Sequence, residues 1–278
     1  MQIEFVKMQG LGNDFFVFDA PTTAPGRCLD GATLRAIADR RTGVGFDQAL
    51  MIEAPHDTSS RAFYRIFNAD GSEVEQCGNG ARCVAAHLHA RAPELGREFT
   101  MGSPGGTVLA RVREDLSVSV EMGAPDFEPK SLPMRTRDAA SVYALRIDDQ
   151  EVEFGAVSVG NPHVVIEVPD VDAAPVERVG AALGGHAEFP RRTNVGFMQI
   201  VNRGNIRLRV FERGVGETRA CGTGACAAVA IGRKRGALDA RVRVDLPGGA
   251  AQVSWEGPGQ ALWLTGPATT VFTGSIEI

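Results

Sequence analysis

Two short runs hold the residue types that can do chemistry: Cys77-Gly78-Asn79-Gly80 and Cys221-Gly222-Thr223-Gly224. In each, a cysteine and two glycines stand ahead of an apolar, alanine-rich stretch that reads as a helix. A helix start offers backbone N–H groups without intrahelical partners and a partial positive charge. The glycines let a small ligand come close to those N–H groups, so each run suits a carboxylate. The same field is expected to lower a thiol pKa from ~8.5 toward ~3.5–7.5, giving a reactive thiolate. Two such cysteines facing one ligand from opposite sides would act as a pair. One thiolate would take a proton from a carbon centre, and the opposing thiol would return a proton to the other face. That inverts a stereocentre with no redox change and no cofactor, while helix N–H groups stabilise the carboxylate as it gains enolate character.

Other readings compete for the same residues. Free cysteines are often inert core residues, but two in matching glycine-flanked positions argue against that. The spacings Cys77-x₅-Cys83 and Cys221-x₄-Cys226 do not fit the common short zinc spacings, so no metal is expected. Cys83 and Cys226 fall inside the helices and are expected to be packed. With Cys28 the cysteines number five, an odd count that does not suggest a disulfide framework. A thiol redox couple and a non-catalytic amino-acid binder are the alternatives from other classes.

The elements that must position the two runs repeat along the chain. Arg65-Ile66-Phe67 precedes Cys77, and Arg209-Val210-Phe211 precedes Cys221, both pairs 144 residues apart. Gly12-Asn13 matches Gly160-Asn161, Thr42 to Phe46 matches Thr193 to Phe197, and Pro104-Gly105-Gly106 matches Pro247-Gly248-Gly249. Ordered matches at nearly one offset indicate an internal duplication. The expected division is 1–123 plus 267–278, carrying Cys77, and 124–266, carrying Cys221. The alternating tail from Thr270 to Ile278 is expected to return as a strand to the first domain.

Within the first half, strands are expected at 3–9, 14–19, 48–53, 61–67, 97–102, 106–113 and 116–122. A helix capped by Asp30 should run to about Arg40, and another from Gly80 to about Ala90. The second half repeats this, with helices near 173–183 and 223–235. Strand-rich runs with few helices give an α+β class. The architecture expected is two pseudo-symmetric domains, each a mixed or antiparallel sheet wrapped around a central helix, with the active site in the cleft between them.

Composition sets the outer limits. The 278 residues carry 29 Lys plus Arg and 34 Asp plus Glu, a net charge of −5, with 44% hydrophobic and 23% charged residues. This is a globular balance, not a disordered one. Mild acidity argues against nucleic acid or an anionic membrane as partner. No apolar stretch approaches membrane-spanning length and no signal-peptide core opens the chain, so a cytoplasmic location is expected.

Over nearly its whole length the chain resembles the diaminopimelate epimerases. The motifs are Gly-Leu-Gly-Asn-Asp-Phe at 10–15, Asn-Ala-Asp-Gly-Ser-Glu at 68–73 running into Cys-Gly-Asn-Gly-Ala-Arg-Cys at 77–83, Gly-Asn-Pro-His at 160–163, and Glu-Arg-Gly-Val-Gly-Glu-Thr at 212–218 running into Ala-Cys-Gly-Thr-Gly-Ala-Cys at 220–226. The resemblance implies a two-base epimerase acting without cofactor on an amino-acid substrate. It would interconvert LL- and meso-diaminopimelate on the way to lysine and peptidoglycan, usually as a homodimer. It places Cys77 and Cys221 as the catalytic pair. It places substrate contacts at Asn13, Gln48, Asn68, Gly78, Asn79, Asn161, Asn194, Glu212, Arg213, Gly222 and Thr223. His163 and Glu212 match residues that tune the cysteines. These types suit a zwitterionic substrate: Arg213 can grip a distal carboxylate in two places, Glu212 can accept from an ammonium, and the asparagines can do both. Asp70, Ser72 and Glu73 are expected only to shape the loop before Cys77. A proline racemase-like enzyme is the nearest rival, but that family typically has His at the place of Asn79 and lacks the run at 212–218.

Overall fold

A computed structural model of the chain describes residues 2–20, 29–75, 77–136 and 138–278; Cys28 lies outside these residues. The chain divides into two compact units, Met1–Val120 with Gly266–Ile278, and Glu121–Thr265. Among the described residues no helix is long and apolar enough to cross a membrane.

The first unit runs β1 (Gln2–Gly10), β2 (Asn13–Asp19), α1 (Gly31–Ala38), β3 (Gln48–Glu53), β4 (Ser60–Asn68), β5 (Glu73–Val74), α2 (Gly78–Arg91), β6 (Glu98–Ser103), β7 (Gly106–Val112) and β8 (Val118–Glu121). β1 pairs antiparallel with β2, β2 parallel with β3, β3 antiparallel with β4, and β4 parallel with β6. β7 and β8 follow antiparallel, and the short β5 folds back on β4. The middle strands are buried on both faces, as in Phe15 to Phe18 of β2 and Ala49 to Ile52 of β3. Side chains of a strand alternate between its faces. Phe16 and Phe18 therefore join Leu34 and Ile37 of α1 in one cluster with Phe46 and Met51. The other face receives α2, which packs on β1, β2, β3 and β7. Gly80 lets the helix start lie close: a Cβ there would stand 3.0 Å from Leu50 Cδ2 and 3.5 Å from Phe15 Cε1.

The second unit repeats this order. Its elements are β9 (Tyr143–Ile147), β10 (Gln150–Ser158), β11 (Pro162–Glu167), α3 (Val176–Gly184), β12 (Asn194–Asn202), β13 (Asn205–Glu212), β14 (Gly216–Thr218), α4 (Gly222–Lys234), β15 (Arg241–Leu246), β16 (Gly249–Ser254) and β17 (Trp263–Gly266). β10 to β13 pair antiparallel, parallel, antiparallel in turn, and β13 pairs parallel with β15. β16 and β17 follow antiparallel, and β14 folds back on β13. The duplication read from spaced motifs thus extends to strand order and direction. α4 is buried from Thr223 to Gly232 and packs on β10, β11, β12, β13 and β16.

The two sheets differ at one edge. In the second unit β9 lies antiparallel beside β10. In the first unit the equivalent place, beside β1, is filled by β18 (Thr269–Glu277), from Gln2 opposite Glu277 to Gln9 opposite Thr269. The chain tail therefore returns to the first unit as a strand, as its alternation predicts. Helix ends differ slightly from expectation. Asp30 caps α1, accepting from Thr33 N at 2.7 Å, but the helix stops at Ala38. It stops there because Asp39 Oδ1 takes the N–H groups of Arg41 and Thr42 at 2.8 and 2.7 Å. α3 starts at Val176, not near 173, behind Pro175 at its N-cap.

Candidate active site

In both units the chain leaves a long strand, turns back through a two- or three-residue strand, and delivers a cysteine to the start of a buried helix. In the first unit the turn after β4 is closed by Asp70, whose Oδ1 accepts from Ser72 N at 2.8 Å and Ser72 Oγ at 2.6 Å. Gly71 has φ +85, and a Cβ there would meet Gly31 Cα at 2.5 Å, so only glycine fits. Across β4 and β5, Arg65 holds Glu73 with two 2.7 Å hydrogen bonds. Arg209 holds Glu217 across β13 and β14 in the same way, at 2.6 and 2.7 Å. The loop-shaping expectation for Asp70, Ser72 and Glu73 matches this geometry.

Cys77 and Cys221 are the N-cap residues of α2 and α4. Gly80 N and Gly224 N, each three residues on, donate to the respective sulfur at 3.4 Å. Each sulfur therefore takes the place that a Ser or Asp oxygen occupies in an ordinary cap. Cys83 and Cys226 are fully buried inside the helices, as expected. Burial pushes the Cys83 thiol up to about 12.

The remaining residues of the first unit gather at one end of the sheet. Asn13 opens β2, Gln48 opens β3, and Asn68 ends β4, with Gln48 directly opposite Asn68 in register. Gln48 Nε2 donates to Asn68 Oδ1 at 3.0 Å, and Asn68 Nδ2 to Ser72 Oγ at 3.1 Å. Gln48 Oε1 is buried with no hydrogen-bond partner, an acceptor left open. Asn13 Oδ1 lies 3.9 Å from Cys77 Sγ. Gly78 and Asn79 form the first turn of α2, but the Asn79 side chain turns inward, its Oδ1 accepting from buried Arg82 at 2.9 Å.

In the second unit Asn161 precedes β11, His163 lies on it, Asn194 opens β12, and Glu212 ends β13. His163 is fully buried, with Nε2 3.0 Å from both Asn161 Oδ1 and Thr223 Oγ1. Thr223 Oγ1 in turn lies 3.5 Å from Cys221 Sγ. Burial, aided by the charge of Arg213, pushes the imidazole down to about 3. The ring is therefore neutral and hydrogen-bonds with the Thr223 hydroxyl. This places His163 on the Cys221 side. Asn194 Oδ1 accepts from Arg213 N at 2.9 Å, and its Nδ2 donates to Pro162 O at 3.2 Å. The Arg213 guanidinium is exposed and donates to Arg191 O at 3.1 Å. Among the described residues it meets no carboxylate.

Glu212 stands beside Cys221 and accepts from the Thr218 hydroxyl. Burial pushes its carboxyl up. Burial and the Glu212 carboxylate together push the Cys221 thiol well above its ordinary value. The expectation of a thiol lowered by the helix start fails here: the Gly224 N–H and Thr223 hydroxyl both favour the thiolate, and desolvation outweighs them. Cys221 is thus held as a thiol by its burial and by the neighbouring Glu212 carboxylate.

The duplication makes the two surroundings unequal. Position by position, Phe15, Asn68 and Asn79 of the first unit stand where His163, Glu212 and Thr223 stand in the second. Sequence reasoning missed the charged groups around Asn13, namely Lys7, Asp14, Arg40 and Asp47, which have no counterpart motif. It also left the Arg65–Glu73 and Arg209–Glu217 pairs unassigned, although each member recurs at the same 144-residue offset as the cysteines.

The family model described as diaminopimelate epimerase matches residues 5–128 and 155–271. Solved structures share the fold at low identity. A hydroxyproline epimerase from Agrobacterium vitis with bound trans-4-hydroxy-L-proline is 17% identical with a TM-score of 0.70, covering 99% of this chain and 92% of that one. A PhzF-family phenazine biosynthesis protein from Bacillus anthracis is 16% identical with a TM-score of 0.69, covering all of both chains. A predicted epimerase from Pseudomonas aeruginosa is 17% identical with a TM-score of 0.69, covering 99% of each.

Proposed function

Since the chain belongs to the diaminopimelate epimerase family, we propose that it inverts one α-carbon of LL-diaminopimelate to give the meso isomer, reversibly, with Cys77 and Cys221 as the two proton-transfer groups. The observation that carries this reading is the twofold recurrence of a helix-capping cysteine with a helix N–H on its sulfur. One thiolate takes the α-proton, and the electron pair passes into the substrate carboxylate as an enolate. The opposing thiol gives its proton to the other face of the carbon, so the two cysteines exchange protonation states in each turnover. Helix-start N–H groups of Gly78, Asn79, Gly222 and Thr223 would hold the reacting carboxylate, strengthening as charge develops there.

The second cysteine is suited to start as the donor, because it is a buried thiol. Burial and the Glu212 carboxylate hold its proton until the carbanion takes it. Arg213 has donors to spare for a distal carboxylate, which proline and hydroxyproline lack. Gln48, Asn13, Asn68, Asn161 and Asn194 would read the ammonium groups.

The test is incubation with LL-diaminopimelate in D₂O under reductant, without added pyridoxal phosphate, for wild type, Cys77→Ala and Cys221→Ala. Meso product deuterated at one α-carbon, absent in both variants, is the expected result. Absence of exchange in fully reduced wild type, with exchange on proline or hydroxyproline instead, would overturn the substrate assignment.

A further inference from the structure

Asn13 is held between a thiol and a carboxylate. Its Nδ2 donates to Asp47 Oδ2 at 2.8 Å, and its Oδ1 is the atom 3.9 Å from Cys77 Sγ. A carboxylate only accepts, so Asp47 dictates which end of the amide faces which neighbour. Asp47 is itself fixed from two sides. Oδ2 also accepts from Asp14 N at 3.1 Å, and Oδ1 accepts from Arg40 Nη2 at 2.7 Å. Arg40 at the same time grips Asp14 with bonds of 2.9 and 2.7 Å, and buried Lys7 pairs with Asp14 at 2.6 Å and donates to Gly45 O. Burial alone would raise the Asp14 carboxyl, but the hydrogen bonds from Arg40 and Lys7 outweigh it and hold it ionised. Two cations thus offset two carboxylates. Asp47 therefore acts on Cys77 through the orientation of one amide and not as a net negative field.

We propose that Asp47 is a positioning residue that fixes the Asn13 amide with its oxygen toward Cys77 and so raises the proton affinity of that sulfur, the property it needs to take the α-proton as a base. Two of the contacts on the sulfur oppose each other. Gly80 N–H favours the thiolate, and the Asn13 oxygen, which can only accept, favours the thiol. With Asp47 removed, the Asn13 amide is free to turn and offer its NH₂ to the sulfur, and both contacts then favour the thiolate. The inference rests on the reading of Cys77 as a reacting group, but its test needs no substrate.

The experiment measures iodoacetamide alkylation of Cys77 by site-resolved mass spectrometry across pH in wild type, Asp47→Ala, Asn13→Ala and the double variant. Asp47→Ala is expected to speed Cys77 alkylation at neutral pH about threefold to tenfold by shifting its pH profile to lower pH, since tenfold corresponds to one pKa unit. The Asp47 substitution is expected to add nothing in the Asn13→Ala background. Buried Cys83 should stay unlabelled throughout, and its labelling would report loosened packing instead. An unchanged Cys77 profile in Asp47→Ala, an equal increment in both backgrounds, or parallel exposure of Cys83 would overturn the proposal. Failure to turn over diaminopimelate would leave these results as they stand and count only against the substrate assignment.

Discussion

His163 gives a quantitative prediction about acid stability. The neutral imidazole is enclosed at Asn161, Thr223 and Asn194, and its proton affinity falls from the ordinary 6.5 to about 3. The unfolded chain therefore binds a proton that the folded chain refuses between those two values. The folded form keeps its full stability above about pH 6.5 and loses it as pH falls toward 3. The full shift of about 3.5 units is worth ~5 kcal/mol at ~1.4 kcal/mol per unit, and stopping at about pH 5 captures ~2 kcal/mol of it. His163→Gln keeps a nitrogen donor for Asn161 and Thr223 but cannot titrate. Urea unfolding at several pH values between about 5 and 8 gives the two stability curves. Other titrating groups, including His87, which burial also pushes down, are common to both proteins and cancel in the comparison. The wild-type curve should fall more steeply than the variant's by ~2 kcal/mol over this range. Parallel curves would show that the folded state accepts the proton and would refute the buried neutral imidazole.

Cys83→Ala should reduce alkaline sensitivity. Burial raises the folded thiol to about 12, so stability held below the unfolded pKa is lost as pH rises from about 9, and unfolding midpoints at about pH 10 should fall less in the variant than in wild type. Glu212→Gln removes the charge that helps hold the Cys221 proton, so alkylation of Cys221 should rise at neutral pH while epimerisation falls; a fall in both would show that Glu212 acts only by supporting the fold. Gly43→Ala would drive a Cβ to 2.4 Å from Ala36 O and Ile37 O at the end of α1. It should destabilise the first unit by roughly 1–3 kcal/mol or more in thermal unfolding, and an unchanged melting temperature would refute the packing there. Arg209→Ala breaks a partly exposed pair and should cost under ~1 kcal/mol in stability. Because the pair anchors the hairpin that delivers Cys221, it should cost tenfold or more in kcat, roughly what a small misplacement of a reacting group costs, and equal losses in the matching Arg65→Ala would fit the duplication.

The sequence by itself determined the local features. A cysteine followed by Gly-x-Gly and an alanine-rich run specifies a capped helix, and both cysteines took that place. Repeated motifs at one offset specified two like units, and alternation in the tail specified β18, although its partner lies at the other end of the chain. These follow from capping, side-chain periodicity and chain geometry, all of which act over a few residues. The protonation and orientation of the candidate site groups were decided by the tertiary structure alone. A helix start should lower a thiol, yet Cys221 is raised, because its burial and Glu212 nine positions earlier outweigh the local N–H. The sequence says nothing of the charge on His163, and its enclosure makes it neutral. Asp47 lies 34 residues from Asn13 and carries no motif of its own, yet β2 and β3 pair in parallel and bring the two together. Desolvation and charge–charge contacts depend on which groups are neighbours in space, and no short window of sequence contains that information.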